Sequence, residues 1–208
     1  MKREEMQLLI ATKNSEKVKE LECLLADLPL RLRSLNDFSN IVEAEETGET
    51  FSENAVLKAR SYALQTGLLS LADDSGLEVE ALGGAPGVFS ARYAGRSATD
   101  AEKIKKLLGE LSGKEDENRR ARFVCAMAIC EARGEIKFLT EEICAGKIAL
   151  KAAGTNGFGY DAVFIPDGFE QTFGELSKDT KQQISHRGRA AQKIIQYLRD
   201  FTVVSLDL

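Results

Sequence analysis

The chain has 208 residues, 43% apolar and 29% charged, enough to bury a core without disulfide or metal staples and too ordinary a balance for long disorder. No apolar run approaches the ~18 residues a membrane span needs, so no membrane partner is expected. A net charge of −5 argues against a general nucleic-acid binder, yet leaves room for a small polyanion gripped by a local group of cations.

The chain opens with Glu4 and Glu5 ahead of a short apolar run, which does not read as a secretory signal. Gln7 to Ala11 reads as a short buried strand. After TKNSEK, residues 12–17, Val18, Leu21, Leu24, Leu25 and Leu28 recur at helical spacing, with Asn14 or Ser15 as natural N-cap. Residues 43–50, EAEETGET, form an acidic loop. The next helix has two candidate starts: a Thr50–Glu53 capping box, or Ser52 as cap with Phe51 and Val56 as hydrophobic staple. Ala55, Ala59, Tyr62 and Ala63 mark its buried face.

Leu68 to Ala72 is a second apolar strand, expected to end at Asp73-Asp74-Ser75-Gly76. An extended segment follows, in which Leu77, Val79 and Ala81 alternate with Glu78 and Glu80. GGAPG, residues 83–87, is a turn, and Thr99 with Glu102 caps a helix burying Ile104, Leu107, Leu108 and Leu111. KEDENRRAR, residues 114–122, reads as a solvated connection, and Phe123–Cys130 and Glu135–Glu142 as paired strands about an Arg133-Gly134 turn. GTNGFGYD, residues 154–161, is a glycine-rich loop leading into a strand, AVFIP. The last helix starts near Arg187, with Ile194, Ile195, Leu198 and Phe201 as its apolar stripe. Together these elements predict an α/β layered domain with a mixed sheet, a single domain over residues 1–208 divisible into two lobes.

The cysteines, Cys23, Cys125, Cys130 and Cys144, include no CxxC pair, and His186 is the one histidine, so a structural zinc site is all but excluded. Three of the four sit in apolar surroundings, as reduced core thiols do in a reducing compartment, and the expected location is cytoplasmic.

Three constellations carry candidate chemistry. In the first, Lys13 and Lys17 lie at a helix start, where the macrodipole disfavours cations unless an anion sits there. The amides of that turn are a ready phosphate site, though two solvated lysines are an equal reading. The second is acidic: Glu45 and Glu46 in a loop, Asp73 and Asp74 at a strand's end. One or two such carboxylates suffice for Mg²⁺ when phosphates and waters complete its shell. Successive side chains of an extended segment point opposite ways, so the two aspartates divide the work; an Asx-type turn with Ser75-Gly76 explains them as well. The third joins the glycine-rich loop, where an exposed Phe158 or Tyr160 offers a stacking face, to His186 and Arg187, donors suited to carbonyl oxygens. A lone histidine is more often structural, and glycines are more often turns than cradles.

Together the segments IATKNSEKVKEL, AEETGETFSENAVLKA, LADDSGLEVEALGGAPGVFSARYAG, GTNGFGYDAVF and ELSKDTKQQISHRGRA resemble the inosine triphosphate pyrophosphatase family, in the family's order and over nearly the whole chain. The resemblance implies an elongated mixed sheet flanked by helices, two lobes with the active-site cleft between them, and a homodimer. It implies hydrolysis of non-standard purine nucleoside triphosphates (ITP, dITP, XTP) to the monophosphate and pyrophosphate, with Mg²⁺ as cofactor. Thr12, Lys13, Asn14, Ser15, Glu16 and Lys17 would hold the triphosphate, and Lys58 would add a cation. Glu45 and Asp74 would be the metal-linked carboxylates, with Asp74 the general base, and Ser75 would touch substrate. Phe158, Gly159, Tyr160 and Asp161 would line the nucleoside pocket, with Phe158 stacked on the purine, while Lys181, His186 and Arg187 read the base edge.

Lys13, Asn156 and Ala162 stand where the family often has Gly or Asn, Gly and Pro; Asn156 is expected to take the left-handed conformation that Gly would otherwise supply. Lys and Arg are donors only, so they should donate to the 6-oxo group of hypoxanthine or xanthine and disfavour adenine's 6-amino group. A Maf-like pyrophosphatase of pyrimidine or modified nucleotides is the alternative enzyme, and a triphosphate-sensing module the alternative outside catalysis. The SHR segment and GGAPGVFSARY favour the purine enzyme over the first, and the carboxylate–lysine set favours it over the second.

Overall fold

The computed structural model describes residues 6–113 and 119–204, so Glu4, Glu5 and the first five residues of the expected solvated connection lie outside the described residues. Among the described residues the six strands are β1 (Gln7–Ile10), β2 (Arg31–Ser34), β3 (Leu69–Val79), β4 (Arg120–Cys130), β5 (Ile136–Ile148) and β6 (Phe164–Pro166). The α-helices are α1 (Ser15–Leu25), α2 (Phe51–Thr66), α3 (Asp100–Glu110), α4 (Lys178–Ile184) and α5 (His186–Val204). The strands form one sheet in the order β2-β1-β3-β4-β5-β6. It is mixed: β1 runs parallel to both β2 and β3, and β6 antiparallel to β5.

Local chemistry sets the helix starts. Asn14 caps α1, its Oδ1 accepting from the amides of Glu16 and Lys17 at 3.0 and 3.1 Å. At α2 the Thr50–Glu53 capping box forms, not the Ser52 cap, and Gly67 in the left-handed conformation (φ 68°) ends the helix. Thr99 and Glu102 make the same box at α3. Two elements carry no strong pattern in the sequence. The four residues of β2, RLRS, join the sheet through the register Leu8↔Leu32, and α4 begins where Ser177 Oγ accepts from the Thr180 amide at 3.2 Å.

Three expectations are corrected. The segment around Asp73-Asp74 is not a strand end: β3 runs unbroken for 11 residues, with both aspartates in its interior. A turn would leave these carboxylates in water, whereas here lysines from α1 and α2 neutralise them and the extended backbone persists. In AVFIP the strand begins only at Phe164, because Asp161–Val163 form a 3-10 turn. Arg119, expected in a solvated connection, is 3% exposed; its guanidinium donates to the carbonyls of Ile148 (2.8 Å), Ala149 (2.8 Å) and Leu111 (3.0 Å), which supplies partners at the end of α3 and of β5.

The chain groups into two compact units. One takes the chain to Asp74, Ala126–Glu141 and the stretch from Ala190; the other takes Ser75–Cys125 and Glu142–Arg189. Buried in the first are Leu8, Leu9 and Ile10 of β1, Leu21 and Leu25 of α1, the α2 face Ala55, Ala59, Tyr62 and Ala63, and Ala126–Cys130 of β4. The second is built on Leu77, Val79, Leu107, Leu111, Phe123, Phe164 and Phe173, with the rings of Phe123 and Phe164 4.6 Å apart. Val124 to Cys130 are buried without alternation, as in a strand covered on both faces.

Candidate active site

In the first unit α2 organises the acidic loop. Asn54 Oδ1 accepts from the Gly48 amide at 2.9 Å and its Nδ2 donates to the Gly48 carbonyl at 3.3 Å. Tyr62 Oη accepts from the Ala44 amide, and Gln65 exchanges two hydrogen bonds with the Val42 backbone. Sewn down at both ends, the loop delivers Glu46 to Lys58. The Lys58 ammonium lies 3.0 Å from Glu46 Oε1 and 2.8 Å from Asp74 Oδ1. Lys17, from the first turn of α1, meets Asp73 Oδ2 at 2.9 Å, and the Asp73 side chain is wholly buried. Neighbouring aspartates of β3 thus take different lysines, as the alternation of a strand requires.

Burial raises the Asp74 pKa, and Lys58 and Lys17 only partly pull it back, so its carboxylate holds a proton more readily than an ordinary aspartate. Lys58 is the converse case. Burial works against its charge, but Asp74, Asp73 and Glu46 outweigh that and hold its pKa above the usual range. A buried carboxylate of raised basicity beside permanent cations suits a group that must take a proton while anions are held nearby.

Among the described residues no group of three or more His, Cys, Asp or Glu side chains is arranged to hold a metal ion, so an all-protein cage is absent there. Glu46 and Asp74 are hard oxygen donors that already converge on one cationic centre, the Lys58 ammonium. Two carboxylates match the modest demand of Mg²⁺, which fills the rest of its shell with water and phosphate.

The other phosphate-end residues are placed as follows. Thr12 Oγ1 accepts from the Asn14 amide at 3.2 Å, and Ser15 is exposed at the first turn of α1. Glu16 is paired with Lys19, and Lys13, half-exposed, with Glu43. The helix start is less open than its sequence suggests, because Asn14 already occupies the amides of Glu16 and Lys17. Glu45 is exposed, and it is Glu46 that reaches Lys58. Nothing in an acidic loop without periodicity marks which of two adjacent glutamates faces inward.

In the second unit Asp161 is the hub. It is buried, and its Oδ2 accepts from the Phe158 amide at 2.8 Å and from the Lys181 ammonium at 2.7 Å. Gly157 has a φ of +75°, and a Cβ there would stand 2.1 Å from the same oxygen, so only glycine lets the loop close on this carboxylate. The ring of Phe158, half-buried, has Lys181 Nζ 5.2 Å and Arg187 Cζ 5.5 Å from its centroid. Arg187 also donates to Ser75 Oγ at 3.0 Å, and His186 is buried, stacked on Phe123 with centroids 4.6 Å apart.

Two expectations about this loop are corrected. Tyr160 is 4% exposed and donates its hydroxyl to the Ser90 carbonyl at 3.0 Å, so it anchors the loop and offers no stacking face. Asn156 is not left-handed, as every positive φ among the described residues belongs to glycine; its side chain donates to the Leu176 carbonyl at 3.0 Å, an interaction glycine could not make.

The model of the Ham1 family matches residues 8–197 of the chain. Over 188 residues the chain is 48% identical to a dITP/XTP pyrophosphatase of Bacillus licheniformis, covering 90% of this chain and 95% of that protein. Over 200 residues it is 43% identical to the dITP/XTP pyrophosphatase of Coxiella burnetii, covering 96% and 100%. Among solved structures, a HAM1 protein from Coxiella burnetii superposes with a TM-score of 0.85 at 43% identity over 94% of this chain and 99% of that one. The Staphylococcus aureus Ham1 protein gives 0.82 at 38% identity over 93% and 98%.

Proposed function

The chain belongs to the Ham1 family, and on that premise we propose that it is a Mg²⁺-dependent pyrophosphatase that cleaves non-standard purine nucleoside triphosphates, ITP, dITP and XTP, between the α and β phosphates. The observation that carries this reading is Asp74: a buried carboxylate of raised basicity, 2.8 Å from a lysine that Glu46 shares.

Asp74 accepts the proton of the attacking water. Lys17 and Lys58 balance the charge that builds on the departing pyrophosphate, and the buried Asp73 holds Lys17 in place for that work. Glu46 and Asp74 would hold the magnesium ion, which supplies charge neutralisation on phosphate oxygens when bound. Phe158 offers the purine a ring face flanked by Lys181 and Arg187, whose donors match a 6-oxo acceptor and oppose a 6-amino group. His186 orders the start of α5 from its stack on Phe123, and Ser75, the neighbour of Asp74 in β3, fixes Arg187 through its hydroxyl.

The test is pyrophosphate release from ITP, dITP, XTP, GTP and ATP with and without Mg²⁺. The oxo purines ITP, dITP and XTP should turn over and ATP should not; equal rates for ITP and ATP would overturn the base assignment. A homodimer in the cytoplasm belongs to the same proposal. Its supports are the exposed apolar side chains Leu64 and Leu139, which a second copy would cover, and the three buried, reduced thiols. Light scattering on the purified protein measures the first.

A further inference from the structure

Phe158 is flanked by two amides, its own and that of Gly159, and both end on carboxylates. The first goes to Asp161; the second donates to Asp100 Oδ2 at 2.6 Å. Asp100 is the first residue of α3, and its other oxygen is held by Lys103 at 2.5 Å. The start of α3 does not depend on it. Thr99 Oγ1 accepts from the Glu102 amide at 3.3 Å and Glu102 Oε2 from the Thr99 amide at 2.8 Å, which completes the capping box without Asp100. Half-burial works to raise the Asp100 pKa, but Lys103 and the Gly159 amide outweigh it and keep the carboxyl ionised, in the state that accepts most strongly. A third tie follows at Tyr160, whose hydroxyl reaches the Ser90 carbonyl, while Ser90 Oγ accepts from the Leu77 amide at 2.9 Å and donates to the Gly87 carbonyl at 2.6 Å.

We propose that Asp100 is a positioning residue for purine binding: with Asp161 it clamps the backbone on both sides of Phe158 and so sets the attitude of the stacking ring. Beyond the ring, the Phe158 carbonyl accepts from the Asp161 amide at 3.2 Å, and Asp100 holds the other edge of the same peptide plane through the Gly159 amide. This role rests on the assignment of Phe158 to the base, and the test separates the two.

The chain has no tryptophan, so Phe158→Trp places a single reporter at the ring position. In that background Asp100→Ala should make the indole more accessible to acrylamide, with Asp100→Asn intermediate because its amide oxygen can still accept from Gly159. In the otherwise native chain, Asp100→Ala should raise KM for ITP about tenfold, the scale of one charge-assisted hydrogen bond, while kcat stays within about twofold. Glu102→Gln, which alters the capping box and spares the loop, should leave both constants unchanged, and thermal unfolding of Asp100→Ala should remain cooperative. Unchanged acrylamide quenching, an unchanged KM, or an equal rise of KM in Glu102→Gln would overturn the role of Asp100. A wild-type enzyme inert toward ITP, together with increased quenching in Asp100→Ala, would instead sink the base assignment and leave the clamp standing.

Discussion

The lysine–carboxylate cluster and the Phe158 loop fix their functional groups by opposite means. In the cluster every charge sits on or beside regular structure: Lys17 on α1, Lys58 on α2, Asp73 and Asp74 within β3, and the one loop residue, Glu46, is sewn to α2. Side chains there hold side chains. In the Phe158 loop, carboxylates hold backbone amides, and the cations of Lys181 and Arg187 lie over the ring, 5.2 and 5.5 Å from its centroid. The first arrangement fixes the charges that the proposed grip on a polyphosphate would use. The second gives a loop without secondary structure a defined shape, which the proposed purine contact at Phe158 would use. Chemistry and recognition therefore call for different kinds of substitution to disturb them.

The sharpest way to break this contrast is Asp74→Asn. It keeps the size of the side chain and removes its basicity, and kcat for ITP should fall by ~100-fold or more; near-normal turnover in a folded variant would take Asp74 out of the proton-accepting role. Next comes Asp73→Ala, which strands Lys17 beside an apolar gap. Leaving one partner of a buried pair costs about 3 kcal/mol, to be read from chemical denaturation, and a loss below about 0.5 kcal/mol would show that the pair at 2.9 Å is not structural. Gly157→Ala touches only the loop. A left-handed position with a side chain costs about 1–2 kcal/mol, and the crowding against Asp161 Oδ2 should show as a raised KM for ITP with kcat nearly preserved; equal losses in both constants would mean that the loop also serves the chemical step. The smallest effect concerns Cys144. Burial pushes its thiol up to about 11, so at pH 8 on the order of one in a thousand molecules carries the thiolate. Iodoacetamide should label exposed Cys23 first, and comparable rates at the two positions by mass spectrometry would contradict the burial described for β5.

How much of this the sequence discloses depends on whether the signal is local. The capping boxes at Thr50 and Thr99, the Asn14 cap and the buried face of α2 are visible because residue type and spacing alone decide them. The continuity of β3 is hidden, since Asp-Asp-Ser-Gly has turn composition and only lysines distant in the chain make it a strand. Glu46 is hidden for a similar reason, as a loop has no period to say which of two neighbours turns inward. Asp161 and Asp100 are legible as acids but not as clamps, because their partners are backbone amides that no residue type announces. β2 lacks an apolar run and gains its place from pairing with β1.

On the roles proposed for its two aspartates, the unbroken course of β3 would make catalytic competence a readout of ladder alignment. Asp73 and Asp74 are consecutive, so sliding that strand by a single residue against β1, away from Leu8↔Leu69 and Ile10↔Leu71, would turn each acid toward the other's lysine and move Leu71 to the face that the smaller, equally buried Ser70 and Ala72 now occupy. A misaligned protein could keep its helices and much of its circular dichroism and still lack turnover. Recovery of activity during refolding, set beside recovery of helical signal, would time the moment at which the sheet finds its correct alignment.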